Sequence, residues 1–414
     1  MTCKPDHLKK YIRLAVRAGA AIQPGQKLVL RSPVECADIA RMAADEAYAA
    51  GAKEVIVDWT DDGISRGRFL YAADDVFDEF PAWTQLLRNS LSAEGAAFLA
   101  ISAEDPEAFK GADLTRITRS ESARRRALRP YYDRVMTNGI QWCVISVPTE
   151  AWARKVFGGA AKTAVNKLWD TIFAAARIAD NDPVENWLAH TGRLKGVVSK
   201  LNKFGFISLK FENSLGTDLI VGLPKGHVWQ GGGDVCKNGR AFFPNIPTEE
   251  AFTAPDSAAV NGTAVSTKPL VYGGNVIDGF SLTFNKGRVV SFTADKNRAL
   301  LEQMLGSCKN MDRLGEVALV PVDSPISAMD TLFYNTLYDE NASSHLALGQ
   351  AYADCVRGGS DKSRAQLRRL GLNNSDSHVD FMIGSADMKV TGFTQDWKEI
   401  AVMKDGKFTD SFLN

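Results

Sequence analysis

Histidine is scarce in this chain, with five in 414 residues, and several features that would assign it to a large class are missing altogether. Its six cysteines (Cys3, Cys36, Cys143, Cys236, Cys308 and Cys355) are far apart and include no Cys-x-x-Cys pair. That pattern excludes a thiolate zinc cluster and speaks against a disulfide scaffold at this length. No apolar run reaches the roughly 18 residues of a membrane span. The first residues contain no apolar signal-peptide core. Forty-nine basic residues offset forty-nine acidic ones, so no global field draws the chain to nucleic acid or to an anionic membrane. No Gly-x-Gly-x-x-Gly turn follows the first strand pattern, and Gly231-Gly232-Gly233 lacks the Lys-Ser/Thr of a phosphate loop. We expect a cytoplasmic protein with reduced thiols, and neither nucleic acid nor membrane as a partner.

What is present reads as two domains. Strand patterns at 27–30, 54–59, 97–101 and 142–147 alternate with helical patterns at 37–49, 75–90, 113–135 and 160–179. Such alternation predicts an α/β N-terminal domain with a mainly parallel sheet. Ser32-Pro33 suits a helix start. From about residue 201 the pattern turns strand-rich, and Asn285-Lys286-Gly287 between two β-branched runs signals a hairpin. This predicts an α+β C-terminal domain with a mixed or antiparallel sheet carrying the metal site. The boundary falls in the polar stretch 190–193, giving domains 1–190 and 191–414. The basic run Arg124-Arg125-Arg126 has acidic neighbours and reads as a solvated or dimer-facing helix. His227 reads as a surface-loop residue.

Chemistry concentrates toward the C-terminus. His378 and Asp380 are two apart beside an apolar run, so on a strand they share a face; the competing reading is a solvated strand edge. His345 and Tyr352 are seven apart in a helical pattern at 344–356, two turns along one face, with Asn341, Ser343 and Ser344 as caps. Taken singly, each reads first as core packing. Glu250 and Glu316 both adjoin apolar neighbours, where a bare carboxylate needs compensation. A cation supplies it; Arg240 and Arg313 are the alternative. Two divalent ions would bring four positive charges. Glu250, Glu316 and Asp380 would bring three negative ones, and a bridging hydroxide the fourth. Nitrogen from His345 and His378 suits zinc or cobalt, and manganese or magnesium are compatible.

Four segments taken together carry a resemblance. Asn245-Ile246-Pro247-Thr248-Glu249-Glu250, Gly315-Glu316-Val317-Ala318-Leu319-Val320, Asp339 to Tyr352, and His378-Val379-Asp380-Phe381-Met382-Ile383-Gly384-Ser385 resemble the aminopeptidase T/aminopeptidase S family of metallopeptidases. The resemblance is close over the second domain and rests on layout and length over the first. It implies two divalent ions held by Glu250, Glu316, His345, His378 and Asp380, a catalytic role for Tyr352, and removal of N-terminal residues from peptides with broad tolerance. It also implies an intracellular homodimer. A mechanism assembled from these parts has a metal-bridging hydroxide attack the scissile carbonyl while the Tyr352 hydroxyl donates to the oxyanion. Glu249 is the candidate general base; the competing reading places it on the strand face opposite Glu250. A two-metal dipeptidase or deacylase, and an inactive binding relic, are the alternative functions.

Overall fold

The computed structural model describes residues 5–273 and 275–413. The chain forms two compact units. The first comprises Met1–Ala189, Gly233–Pro247 and Gly273–Asn275, and the second His190–Gly232, Thr248–Tyr272 and Val276–Asn414. The first division falls between Ala189 and His190, at the polar stretch 190–193. That stretch lies inside the 22-residue helix Pro183–Phe204.

The first unit holds a four-stranded parallel sheet built from β1 (Lys27–Pro33), β2 (Glu54–Thr60), β3 (Ala97–Ser102) and β4 (Trp142–Ser146), in the order β2-β1-β3-β4. β1 buries Leu28, Val29 and Leu30 in succession, as expected for a strand in a parallel sheet covered on both faces. Ser32-Pro33 does not open a helix. The strand continues through Pro33, and a short turn at Val34–Cys36 leads into the helix Ala37–Ala49. The single long helix expected at 113–135 is two, Leu114–Ala127 and Arg129–Met136. Pro130 explains the break. It lacks an N–H, its ring clashes with the carbonyl four residues back, and it is tolerated only in a first turn. Several arginines of these helices are paired locally. Arg119 bridges Asp74 and Asp78, each at 2.6 Å, and Arg124 meets Glu121 at 2.8 Å.

The second unit contains two larger sheets. One has eight strands and every recorded pairing in it is antiparallel. Its order is Arg288–Thr293, Ser281–Asn285, Val260–Val265, Asp218–Gly222, Ser208–Glu212, Lys389–Phe393, Glu399–Lys404, Lys407–Phe408. Lys286 and Gly287 close its first hairpin with φ of 49° and 80°. Two positive φ values match the turn to the twist of the strands. The other sheet carries the chemistry. It is antiparallel, with β5 (Ala251–Thr253), β6 (Leu314–Leu319), β7 (His345–Gly349) and β8 (His378–Met382) in the order β8-β7-β6-β5.

Val317, Leu319, Leu346, Leu348 and Phe381 of this second sheet share one apolar cluster with Leu209, Phe211, Leu219, Val221, Leu282 and Phe284 of the eight-stranded sheet. Leu346 is fully buried in it. Leu346→Ala removes that filling and leaves a cavity. We expect a loss of about 3 kcal/mol, measured as a lowered denaturant midpoint in the metal-free protein. An unchanged midpoint would show that this face does not anchor the site sheet.

Candidate metal centre

Alternation along three strands builds the site. A strand sends successive side chains to opposite faces. With Val317, Leu346, Leu348 and Phe381 committed to the apolar core, Glu316, His345, Ala347, Asp380 and His378 fall on the other face. Register then aligns them. Ala347 stands between Glu316 on β6 and Asp380 on β7's other neighbour, β8. The methyl of Ala347 lets two carboxylates approach across it, where a larger residue would fill the space. Glu250 enters from the residue just before β5.

Tyr352 and His345 do not share a helix. The region expected to be helical at 344–356 is β7 followed by a short turn at Ala353–Cys355. Leu and Ala favour helix locally, but pairing to strands on both sides outweighs that preference. Asn341, Ser343 and Ser344 are accordingly not helix caps. Asn341 accepts from Glu249 N–H at 2.7 Å and donates to Leu337 O at 2.9 Å, tying two chain segments together. Ser344 Oγ accepts from Val320 N–H at 3.0 Å.

The donor atoms converge. Glu250, Glu316 and His345 form one group and Glu316, His378 and Asp380 a second, with ligand atoms inside each within 4.8 Å of one another. Glu316 belongs to both. His345 Nε2 lies 3.2 Å from Glu250 Oε2 and 3.5 Å from Glu316 Oε1. His378 Nε2 lies 3.1 Å from Asp380 Oδ1 and 3.6 Å from Glu316 Oε2. Both imidazoles are oriented from behind. His345 Nδ1–H donates to Ser343 O at 3.1 Å and His378 Nδ1–H to Gln350 O at 2.7 Å. A carbonyl can only accept, so each Nδ1 carries a proton and each Nε2 faces the carboxylates, where its lone pair becomes available to a cation once its own proton leaves. Buried Glu250 Oε2 makes no hydrogen bond of its own despite that nearby nitrogen. Oxygen and nitrogen donors aimed at common points, one of them otherwise orphaned, are the fit a divalent cation requires.

Charges crowd the metal-free site. Burial pushes Glu316 up to about 7, with His345 pulling the other way. Burial opposes charge on His378, yet Asp380 and Glu316 raise it to about 10. Burial likewise opposes charge on His345, and Glu250 and Glu316 raise it well above the usual imidazole range. Asp380 is desolvated too, but His378 holds it below the ordinary carboxylate value. Tyr352 is raised well above 10, first by burial and then by Glu316, Asp380, Glu340 and Glu250. Its ring packs edge-on against His378 at 5.2 Å and Phe252 at 5.9 Å.

The structure adds to the sequence reading at four places. Glu249 joins neither donor group. Its buried carboxylate lies 3.8 Å from His190 Nε2, as alternation with Glu250 along an extended segment dictates. Glu340, which the sequence reading passed over, belongs to the electrostatic set. Burial and then Asp380, Glu250 and Glu316 raise it well above the usual value, with His345 opposing. An acid between Tyr338 and Ala342, both buried, was the available signal. The glycine run packs closely against the segment bearing Glu250. Gly231, at φ 143°, would place a Cβ 2.5 Å from Glu250 O, and Gln230 exchanges backbone hydrogen bonds with Phe252 at 2.8 and 3.0 Å. Close approach needs glycine there. His227 is half-buried and bridges Val356, and burial lowers its pKa.

A model of the thermophilic metalloprotease family (M29) matches residues 4–408. The chain belongs to that family. It is 44% identical to Aminopeptidase 2 of Geobacillus stearothermophilus over 402 residues, 97% of each chain. It is 41% identical to Aminopeptidase AmpS of Bacillus subtilis, covering 97% of this chain and 98% of that one. Wild-type AmpT from Thermus thermophilus superposes with a TM-score of 0.90 at 37% identity, covering 98% of this chain and 99% of that chain. A 2,5-dihydroxypyridine dioxygenase from Pseudomonas putida shares the fold at a TM-score of 0.56 and 12% identity, across 97% of this chain and 96% of that one. Membership of a metalloprotease family agrees with the donor set, and this chain uses a divalent metal.

A cation entering this site displaces protons. In the metal-free protein His378 is charged at neutral pH and Glu316 titrates near 7. Metal loading at pH 7 should therefore release about one proton or more per chain, and affinity should rise from pH 6 to 8 as Glu316 loses its proton. Calorimetric titration in buffers of different ionisation enthalpy measures this; a heat independent of buffer contradicts it.

Proposed function

We propose that this site releases N-terminal residues from peptides with two divalent ions, one held by Glu250, Glu316 and His345, the other by Glu316, His378 and Asp380. The activity class follows from family membership and the named relatives: the chain is a metal-dependent aminopeptidase. The observation that carries the two-ion reading is Glu316, common to both donor groups. With Glu340 counted, four carboxylates equal the charge of two divalent ions, so a buried site reaches neutrality through its own side chains. Mixed imidazole and carboxylate donors suit zinc or cobalt first, and admit manganese or magnesium.

Ions held there would supply Lewis acidity, lowering the pKa of water and polarising an amide carbonyl. The protein's own groups do the rest. Ser343 O and Gln350 O fix the two imidazoles. Tyr352 keeps its proton because burial and four carboxylates oppose its ionisation, so its hydroxyl donates to the oxyanion that develops on the scissile carbonyl. Glu249 is the candidate general base, and its buried carboxylate lies 3.8 Å from His190 Nε2. The substrate is a peptide with a free N-terminus, of broad side-chain tolerance, and the enzyme is a homodimer in the cytoplasm. Light scattering reads the assembly. Among the described residues no helix is long and apolar enough to cross a membrane.

The activity test is hydrolysis of leucine p-nitroanilide before chelation, after it, and after metal add-back. Loss and recovery are expected; inactivity with every divalent ion would sink the reading. Tyr352→Phe should retain its metal while kcat falls by about 10²–10³, and a fully active variant would return Tyr352 to a packing role. Elemental analysis after dialysis tests the sharing of Glu316. Glu250→Gln should keep the ion held by Glu316, His378 and Asp380, whereas Glu316→Gln should lose both; two ions in Glu316→Gln refute the shared ligand.

A further inference from the structure

A cleft of about 180 Å³ opens beside the metal centre, lined by Leu270, Val271 and Tyr272, by Tyr334, and by His378 and Asp380 themselves. We propose that this cleft receives the side chain of the peptide's first residue, that Tyr334 sets the preference for bulky apolar residues there, and that Asp339 is the positioning residue that holds Tyr334 in place. The inference rests on the aminopeptidase reading and specifies which substrates it favours.

Connectivity of the substrate assigns the cleft. In a peptide whose terminal amine and first carbonyl are at the ions, the first side chain branches from the one carbon between those groups. It is therefore the side chain within shortest reach of a pocket that has two metal ligands in its wall. Size agrees. Sites for larger ligands run from about 300 Å³ upward, and this cleft has room for a single side chain. Its wall is chemically defined as well. Leu270, Val271, Tyr272 and Tyr334 present apolar surface. Asp339 also lines the cleft, but its oxygens are already engaged. Its two oxygens accept from Phe333 N–H at 2.7 Å and Asn335 N–H at 3.0 Å. A basic side chain entering the cleft finds no uncommitted carboxylate in Asp339.

The same two hydrogen bonds explain the display of Tyr334. They straddle it, and between them its backbone takes φ 54°, a left-handed conformation that side-chain-bearing residues seldom adopt. Phe333 is fully buried and packs on Tyr338 at 5.2 Å, which anchors the loop from the protein side. The opposite wall is equally fixed. Thr267 N–H donates to Met382 O at 2.9 Å, next to the strand Leu270–Tyr272. A tyrosine held in an unfavourable backbone state by a buried carboxylate is preorganised before substrate arrives.

Steady-state kinetics on alanine, leucine and phenylalanine p-nitroanilides test this, with metal content measured for each variant. Tyr334→Ala should lower the leucine-to-alanine ratio of kcat/KM about tenfold, chiefly through KM. Tyr334→Phe should keep the ratio, since the ring makes the wall. Asp339→Asn retains an acceptor oxygen and should shift the ratio less than Asp339→Ala. An unchanged ratio in a metal-replete Tyr334→Ala enzyme overturns the assignment. So does a shift that appears only when the second residue of a dipeptide is varied. Inactivity of the unaltered enzyme on all three amides with every divalent ion would instead overturn the aminopeptidase reading on which the assignment rests.

Discussion

Period-two alternation in one antiparallel sheet is the constraint on which this site depends. β7 and β8, and β6 beyond its bulge at Leu314/Glu316, send every second side chain into an apolar core shared with the eight-stranded sheet. That commitment leaves the intervening positions on the opposite face, and those are Glu316, His345, Ala347, His378 and Asp380. Slipping one strand by a single residue would exchange its leucines for its ligands. Burial of Leu346, Leu348 and Phe381 therefore fixes the position of the ligands. The hydrophobic effect supplies the energy that holds like charges together, and a cation relieves the repulsion that results.

The electrostatics show how far that repulsion goes. Without metal, Glu316 is raised toward neutrality by burial, the two imidazoles are drawn toward their charged forms by the carboxylates, and Glu340 is raised well above its usual value. These opposing shifts are what a dense cluster of acids and bases does when no ion balances it. The backbone carbonyls of Ser343 and Gln350 add the second layer. By taking the Nδ1 protons they leave Nε2 as the only free donor atom of each neutral ring, so ligand geometry is set by main chain that the sheet already holds rigid.

Particular residues show where sequence reading works. The His378-Val379-Asp380 pair was legible because a two-residue spacing beside an apolar run has one meaning on a strand. The pairing of strands around Lys286-Gly287 was legible for a similar reason, since turn chemistry is local. His345 was placed on a helix in error. His345-Leu346-Ala347-Leu348-Gly349 reads as helix from leucine and alanine propensity, and as strand only when its two partners are known. Tyr352 kept its place near the ligands although its helix did not exist, because a short turn after β7 brings it back onto His378. Glu340 and Glu249 illustrate the limit from the other side. Adjacent acids look alike in a sequence, and which one faces the donor cluster is a matter of backbone direction.

The sequence by itself determined the class of chemistry: few histidines, acids set against apolar neighbours, and four segments in a recognisable order. It also determined the change from alternating helix and strand to a strand-rich second half, because those periodicities are local. Only the tertiary structure decided that Glu316 serves both donor groups, that Glu340 lies within their electrostatic reach while Glu249 turns to His190, and that Asp339 clamps the loop bearing Tyr334. Each of those depends on register between strands or on contacts between segments far apart in the chain. The energy that selects a register comes from burying the whole apolar face at once, a quantity no single segment contains.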